Sequence, residues 1–355
     1  MKILQVMRHL AFAAAIAAAS AAAAGEIPNL DQTIAPAEGA VLRQPTPSTN
    51  DSFVIGLSNF ALNNDHSTQT MAEARYEAAQ FGEIKQFIIT DAGGSVPQQI
   101  ADIEDLAARG VDAIIVRAGS ETALNAVIEK VYDQGIPVII FSSSASPKRY
   151  TTKIVGDDKE FGRVGAEYLA RDMGGKGKVI AIRGIAGNSI DTDRWAGAKE
   201  VFDTHPEIEV VGEGYGEWAY DRGKQVCESL LLAHPDITGI WSSGGAMTQA
   251  CAEAMVEYGL DLVPMSGEAG NGFLRVWQEM NLQSVAPQYP TWLGAQAVIA
   301  SLRILKGAET YDAYVYRTDP ITRDEIPQFY RPELKDSYWV GSILPEDQLK
   351  SMYGK

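Results

Sequence analysis

The 355 residues carry 46 acidic and 30 basic side chains, a formal net charge of −16, and 46% are hydrophobic. The acidity excludes the basic face that a nucleic-acid protein needs and disfavours an anionic membrane surface, while the apolar content excludes global disorder. Two cysteines exclude a disulfide-stapled scaffold and a Cys-rich metal site.

Residues 1–24 read as an export signal. Lys2 and Arg8 precede an apolar, alanine-rich run from Leu10, and Ala22-Ala23-Ala24 offers small residues for cleavage before Gly25. The run is too short and too weakly apolar to span about 30 Å of hydrocarbon, and no cysteine follows it for lipid attachment. Cleavage would remove two basic residues, leaving 28 − 46 = −18. The expectation is a soluble protein in the periplasm of a Gram-negative bacterium. Residues 25–51, with Pro28, Pro36, Pro45 and Pro47, show no apolar period and read as a poorly ordered leader or a strap on the surface.

From Phe53 short apolar runs alternate with amphipathic stretches of helical length. Strands are predicted at 53–57, 86–90, 113–116 and 137–141, with helices at 67–81, 96–108 and 121–134 between them. A second series has helices at 159–173, 194–204, 222–233, 246–258, 272–280 and 291–306, and strands at 178–182, 209–211, 239–241, 262–265 and 283–286. The unbroken run Ala113-Ile114-Ile115-Val116 suits a parallel sheet covered on both faces. Two successive sets of such units predict an α/β protein of two doubly wound parallel-sheet lobes. Ligands of these sheets sit beyond the carboxyl ends of the strands, so facing lobes would enclose a cleft.

Motifs of catalysis are missing. The chain has no G-x-S-x-G elbow, no H-E-x-x-H and no G-x-x-x-x-G-K-[ST] loop. Gly212-Glu213-Gly214-Tyr215-Gly216 lacks the spacing of a dinucleotide fingerprint and reads as a loop. Of the four histidines, His9 lies in the signal, and His205 and His234 precede prolines, as in surface turns. No pair stands at a metal-ligand spacing, so no metal or cofactor is expected. His66 follows a strand end, where site residues collect, and is a site candidate or a plain loop histidine. Cys227 and Cys251 fall on successive predicted helices; a disulfide and two separately buried thiols are both open.

At Asn63-Asn64, Gly110-Val111-Asp112-Ala113-Ile114-Ile115-Val116, Gly135-Ile136-Pro137-Val138-Ile139 and Gly184-Ile185-Ala186-Gly187 the chain resembles the periplasmic sugar-binding proteins of ABC transporters, the ribose-binding type most of all. Ala233-His234-Pro235-Asp236 and Asn271-Gly272-Phe273-Leu274 are in keeping, and the likeness covers about residues 52–317. The resemblance implies a type I periplasmic binding protein fold. One lobe would comprise 52–156 with 289–317, the other 157–288 with 318–355, joined by hinge crossings near Val155–Asp157, Gln288 and Thr318. It implies a monomer that closes on one small neutral sugar or polyol, with a membrane permease as partner, no nucleic acid and no cofactor.

Site positions carry over residue by residue. Asn64 matches the family's asparagine after the first strand, and His66 and Ser67 stand where ribose binders carry two phenylalanines. Arg117 ends the third strand on a polar contact position, and Arg194 lies close to a ligand-contacting arginine. Trp218 matches the aromatic of the second lobe, Glu268 the acidic residue after strand 262–265, and Gln288 a hinge-side glutamine. The chemistry suits a polyol: an indole stacks on the C–H face of a ring, a carboxylate accepts hydroxyl protons, and a guanidinium donates a fork of N–H groups. Core packing for Trp218 and surface ion pairs for Arg117 and Arg194 are the plainer alternatives. The chain departs from the pattern at Ser142 and Ser143, in place of an Asp-Arg pair, and at Gly244, in place of an asparagine. These small residues imply a roomier pocket or a differently placed ligand, and make ribose itself doubtful. The tail from Ile321, with Tyr330, Tyr338 and Trp339, is expected to strap across the second lobe.

Two rival readings remain at this stage. The protein could serve a chemoreceptor or sensor, for instance for a furanone signal. A secreted glycosidase or esterase would need a nucleophile or two placed carboxylates, and beyond Glu268 only Asp91 and Asp193 are available.

Overall fold

The structure, a computed structural model, describes residues 28–355; the export-signal reading lies outside the described residues. Twelve elements build the first half. Strands β1 (Ile34–Pro36) and β2 (Leu42–Arg43) are followed by β3 (Phe53–Asn59), helix α1 (Asp65–Ala78), β4 (Ile84–Asp91), α2 (Val96–Ala108), β5 (Ala113–Arg117), α3 (Asn125–Asp133), β6 (Val138–Ser142), β7 (Thr152–Gly156), α4 (Asp158–Asp172) and β8 (Lys176–Arg183). Then come α5 (Ser189–Asp203), β9 (Glu207–Tyr215), α6 (Tyr220–Ala233), β10 (Gly239–Ser242), α7 (Gly245–Glu257), β11 (Met265–Ser266), α8 (Asn271–Glu279), β12 (Ser284–Val285), α9 (Leu293–Leu305), β13 (Thr310–Tyr311) and β14 (Ala313–Tyr316). Two short helices, α10 (Ile326–Phe329) and α11 (Glu346–Tyr353), lie in the tail.

The strands form a seven-stranded sheet in the order β1-β14-β7-β6-β5-β3-β4 and a five-stranded sheet in the order β12-β11-β10-β8-β9. Apart from the antiparallel edge strand β1, the neighbours in both sheets are parallel. Strands β5 and β6 are buried along their length except for Arg117, the last residue of β5. That is the signature of a sheet covered by helices on both faces, with function collected at the carboxyl ends. The chain leaves the first sheet after Gly156, returns between Val285 and Leu293, and leaves again after Tyr316.

Several elements differ from expectation. The leader is the strap of the two alternatives: β1 pairs with β14 and β2 with β13. Strand β7 has no apolar run to announce it; its residues alternate buried and half-buried between β6 and β14. Helix α3 starts at Asn125 rather than 121, and of the predicted strand 262–265 only Met265 pairs, the strand running on to Ser266. Gly212–Tyr215 is not a loop but the end of β9, in register with Ile180–Arg183 of β8. Cys227 and Cys251 are joined in a disulfide between α6 and α7, with Cα atoms 5.5 Å apart, and both are buried. No described helix is long and apolar enough to cross a membrane.

Helices α4 and α5 pack backbone against backbone. A Cβ at Gly162 would run into the carbonyl of Arg194, and one at Gly197 into that of Lys159. This approach brings Arg194 to Asp158. The tail joins the second-lobe core through Ile321, Ile326, Leu334, Tyr338, Val340, Leu344, Leu349 and Tyr353, and Ala72 and Tyr76 of α1, from the first lobe, pack against the same cluster.

Candidate functional site

A cavity lies at the carboxyl ends of the strands where the two lobes meet, and there the backbone N–H of Ser144 donates to Ser189 Oγ at 2.7 Å. Its volume is about 50 Å³. A single buried water needs roughly 10–15 Å³, so the space suits a compact ligand rather than an oligomer. Eight sequence-predicted residues line it: Asn64, His66, Ser67, Arg117, Ser143, Arg194, Trp218 and Glu268.

The first-lobe side hangs on the start of α1 and the end of β5. Asn64 caps α1, its side chain accepting from the Ser67 N–H at 2.8 Å. The cap fixes the first turn, which carries His66 and Ser67 to the cavity. Arg117 Nη1 donates to Ser67 Oγ at 2.7 Å. The fully buried Gln99 holds the backbone behind it, donating to the Arg117 carbonyl at 2.8 Å and accepting from the Gly119 N–H at 3.0 Å. Two buried nitrogens on this side, Arg117 Nε and His66 Nε2, have no hydrogen-bond partner. Burial lowers the Arg117 guanidinium to about 10. Burial, with Arg117 and Arg194 nearby, holds His66 well below the usual imidazole range, so it is neutral. No salt bridge reaches Arg117 among the described residues, so the surface-ion-pair alternative does not apply to it.

The second-lobe side is internally paired. Arg194, 2% exposed, donates through Nε to Asp158 Oδ1 at 3.0 Å and through Nη1 to Glu268 Oε1 at 3.0 Å and the Ser243 carbonyl at 2.5 Å. Its guanidinium lies over the rings of Phe161 and Tyr289. Burial pushes the Asp158 carboxyl up to about 7 and raises that of Glu268, with Arg194 opposing both shifts. Arg194 is an ion-pair residue, as one alternative had it, but in the interior. Glu268 Oε2 also accepts from the Gly245 N–H at 3.3 Å.

Trp218 is set by its backbone and by two glycines. Glu217 and Trp218 both take left-handed conformations, φ 58° and 55°, rare for residues with a Cβ and typical of functional sites. Side chains at Gly184 or Gly244 would collide with the indole. Its Nε1–H donates to Ser243 Oγ at 2.9 Å, leaving ring surface for the cavity.

Three expected site residues do not line the cavity. The room at Gly244 is filled by Trp218: a Cβ there would meet Cδ1 at 2.7 Å. Ser142 takes a left-handed conformation, φ 60°, and its carbonyl accepts from the Tyr289 hydroxyl at 3.1 Å. Gln288 ties two crossings together, donating to the Asp319 carbonyl at 2.8 Å. At Gly244, then, the missing side chain leaves room for the indole of Trp218 rather than open space.

Sequence reasoning missed Asn188, Tyr289 and Trp339, which line the cavity, and Asp158, which holds Arg194. Asn188 is the cap of α5, accepting from the Ile190 N–H at 3.0 Å, a signal its position before Ser189 could have given. Tyr289 and Trp339 lie outside any periodic segment. Among the described residues no group of His, Cys, Asp and Glu could hold a metal.

Residues 55–309 match the family described as the periplasmic binding protein domain. The chain is 28% identical over 265 residues to the ribose import binding protein of Bacillus subtilis, spanning 74% of this chain and 86% of that protein. Among solved structures it is similar to the periplasmic binding protein of the arabinose ABC transporter from Shewanella sp. ANA-3, bound to arabinofuranose, with TM-score 0.72 and 23% identity over 78% of this chain and 93% of that one. An ABC transporter solute-binding protein from Bacillus halodurans with bound myo-inositol gives TM-score 0.71 and 24% identity over 79% and 98%. At these identities the solved structures speak for the fold.

Proposed function

Since the chain belongs to the periplasmic binding protein family, we propose that it is a solute-binding protein of an ABC importer, capturing a monosaccharide or sugar alcohol between its lobes and presenting it to a membrane permease. Relatives named for ribose, arabinofuranose and myo-inositol support the class. The observation that carries the reading is one compact cavity lined by an indole-bearing Trp218, the buried carboxylate of Glu268, and Arg117 and His66, each with an unpartnered nitrogen. Neutral polyhydroxylated ligands meet all three: C–H faces on Trp218, hydroxyl donors on Glu268 and hydroxyl acceptors on Arg117. The protein works by binding alone, with no bond made or broken. Ligand contacts with both lobes favour the closed arrangement, because a ligand shifts an equilibrium only through its differential affinity for the two states.

In this reading the lobes are residues 52–156 with 289–317 and residues 157–288 with 318–355. The N-terminal segment directs export to the periplasm, and the protein acts as a monomer. The ligand contacts are Asn64, His66, Ser67, Arg117, Ser143, Trp218 and Glu268, with Arg194 holding Glu268 in place.

The test is a thermal-shift screen of refolded protein, freed of carried ligand, against pentoses, hexoses, pentitols, inositols and a furanone signal. Ligand at 1,000 times its Kd stabilises by about 4 kcal/mol, worth several degrees at this size. A shift confined to sugars or polyols, and reduced in Trp218→Ala, supports the reading. Silence across the sugars and polyols overturns it.

A further inference from the structure

The C-terminal segment lies beyond residue 309, where the family match ends, yet it supplies a wall of the cavity. Trp339 is 7% exposed and meets His66 edge-on, with ring centroids 5.2 Å apart and planes at 88°. Its indole N–H donates to the Tyr289 carbonyl at 3.1 Å. Trp218 and Trp339 therefore share one property. Each has its only side-chain donor committed to a protein oxygen, so what its side chain can offer the cavity is apolar ring surface.

The peptide of Trp339 is gripped from both lobes. The side-chain amide of Gln69, fully buried on α1, accepts from the Trp339 N–H at 2.9 Å and donates to the Trp339 carbonyl at 2.8 Å, as a neighbouring strand would. On the other side Trp339 bridges to Gly270, just before α8. Glu73, one turn along α1, accepts from Ser342 Oγ at 2.6 Å and Thr291 Oγ1 at 2.9 Å and extends the grip. A ring held this way is a contact surface with little conformational entropy left to lose on binding.

Behind Trp339 lies a second cavity of about 280 Å³, lined by Asp65, Tyr220, Gln249 and Asp336 among others, and by Trp339 itself. Trp339 is thus part of the wall of both spaces, and its ring packs on Gly270, which lines the second: a Cβ there would meet the indole at 3.3 Å. We infer that Trp339 is a ligand-contacting residue that sets the upper size of the ligand by separating the two cavities, with Gln69 as its positioning residue. The inference rests on the sugar-binding reading and deepens it. The ligand class it defines is a single ring or short polyol with an apolar C–H face, and glycosides are excluded by the indole.

Calorimetric titration of the full protein tests it, with ribose, L-arabinose, xylitol, myo-inositol and D-allose as small probes and maltose, sucrose and melibiose as large ones. Wild type should bind a small probe and no large one. Trp339→Ala should weaken that small probe about tenfold or more and admit a disaccharide; Trp339→Phe should keep the size limit. Gln69→Ala should weaken the small probe in the same direction. The double variant Gln69→Ala/Trp339→Ala should lose no more than Trp339→Ala alone, a non-additivity that separate structural roles would not give. If Trp339→Ala does not fold, Trp339→Leu carries the same test. An unchanged Kd and unchanged size limit in the Trp339 variants would overturn the inference and leave the sugar reading standing. Wild type binding no probe of either size would overturn both.

Discussion

The two faces of the cavity differ in how complete they are on their own. On the second lobe, one guanidinium satisfies two carboxylates and a carbonyl, and is covered by two aromatic rings. On the first lobe, Arg117 has Ser67 as its close partner and an Nε with none, and His66 Nε2 is likewise unpartnered. The first arrangement is a finished template and the second is a set of groups that gain on meeting a ligand, because an unsatisfied buried polar group costs free energy until it is paired. The lobes therefore divide the work: one fixes shape and charge, the other responds to what arrives.

The sharpest way to break this comparison is to remove the cation of the finished face. Arg194→Ala leaves Asp158 and Glu268 buried without their partner. Breaking a buried pair from one side costs about 3–5 kcal/mol, so urea unfolding should show a loss of that order. A variant as stable as wild type would mean that the triad is not what holds this face together.

Next in size is the pH response of the tail contact. Burial pushes the Glu73 carboxyl up to about 7, against hydrogen bonds from Ser342, Thr291 and Gln69 that favour its charged form. Tyr338 and Tyr353 of the tail also feel its charge, and no salt bridge reaches it among the described residues. A carboxyl whose folded-state value is raised binds more protons folded than unfolded, so its stabilisation is complete below about 4.5 and is lost as pH rises to about 7. The unfolding free energy of wild type minus that of Glu73→Gln should therefore fall between pH 4.5 and 7, by up to about 3 kcal/mol. Subtracting the variant removes the parallel contribution of Asp158, also raised to about 7. A difference independent of pH would place Glu73 in a wetter site.

A smaller effect probes the indole of the template face. Trp218→Ala should weaken sugar or polyol binding by about 2 kcal/mol, roughly thirtyfold. Gly244→Ala should act in the same direction with a lesser loss, since its Cβ would press on the ring. Titration of both variants checks this, and a Gly244→Ala protein with wild-type affinity would mean that the ring has another resting place.

How much of this was legible in the sequence follows from what kind of signal each part leaves. The βα units announce themselves because buried parallel strands are continuous apolar runs, and Arg117 stands out as the charge that ends one of them. Strand β7 mixes polar and apolar residues and alternates buried with half-buried, so no apolar run marks it. Asp158 resembles an ordinary acidic residue in the first turn of a helix, and only the glycine-mediated approach of α4 to α5 turns it into a partner of Arg194. Gly244 was read as space for ligand because a sequence records the missing side chain but not the neighbour that fills the gap. Trp339 was expected in a strap, yet its place at the cavity depends on Gln69, 270 positions away. Contacts that are long in sequence and carried by single polar side chains leave no period to read.

The finest test separates binding from stability on the unfinished face. Arg117→Leu removes a buried cation without a counter-ion and keeps an apolar side chain in a cavity that Phe60 and Ala118 also line. Since a buried charge without a counter-ion carries a desolvation cost that nothing repays, the unfolding free energy should stay within about 1 kcal/mol of wild type or rise. Affinity for the same ligand should nonetheless drop about tenfold, the loss of a charge-assisted hydrogen bond. This is the opposite pairing of effects from Arg194→Ala, where stability fails first. If Arg117→Leu instead loses several kcal/mol of stability and its remaining folded fraction binds as wild type does, then Arg117 is part of the scaffold, and the two faces do not differ in the way their hydrogen bonds suggest.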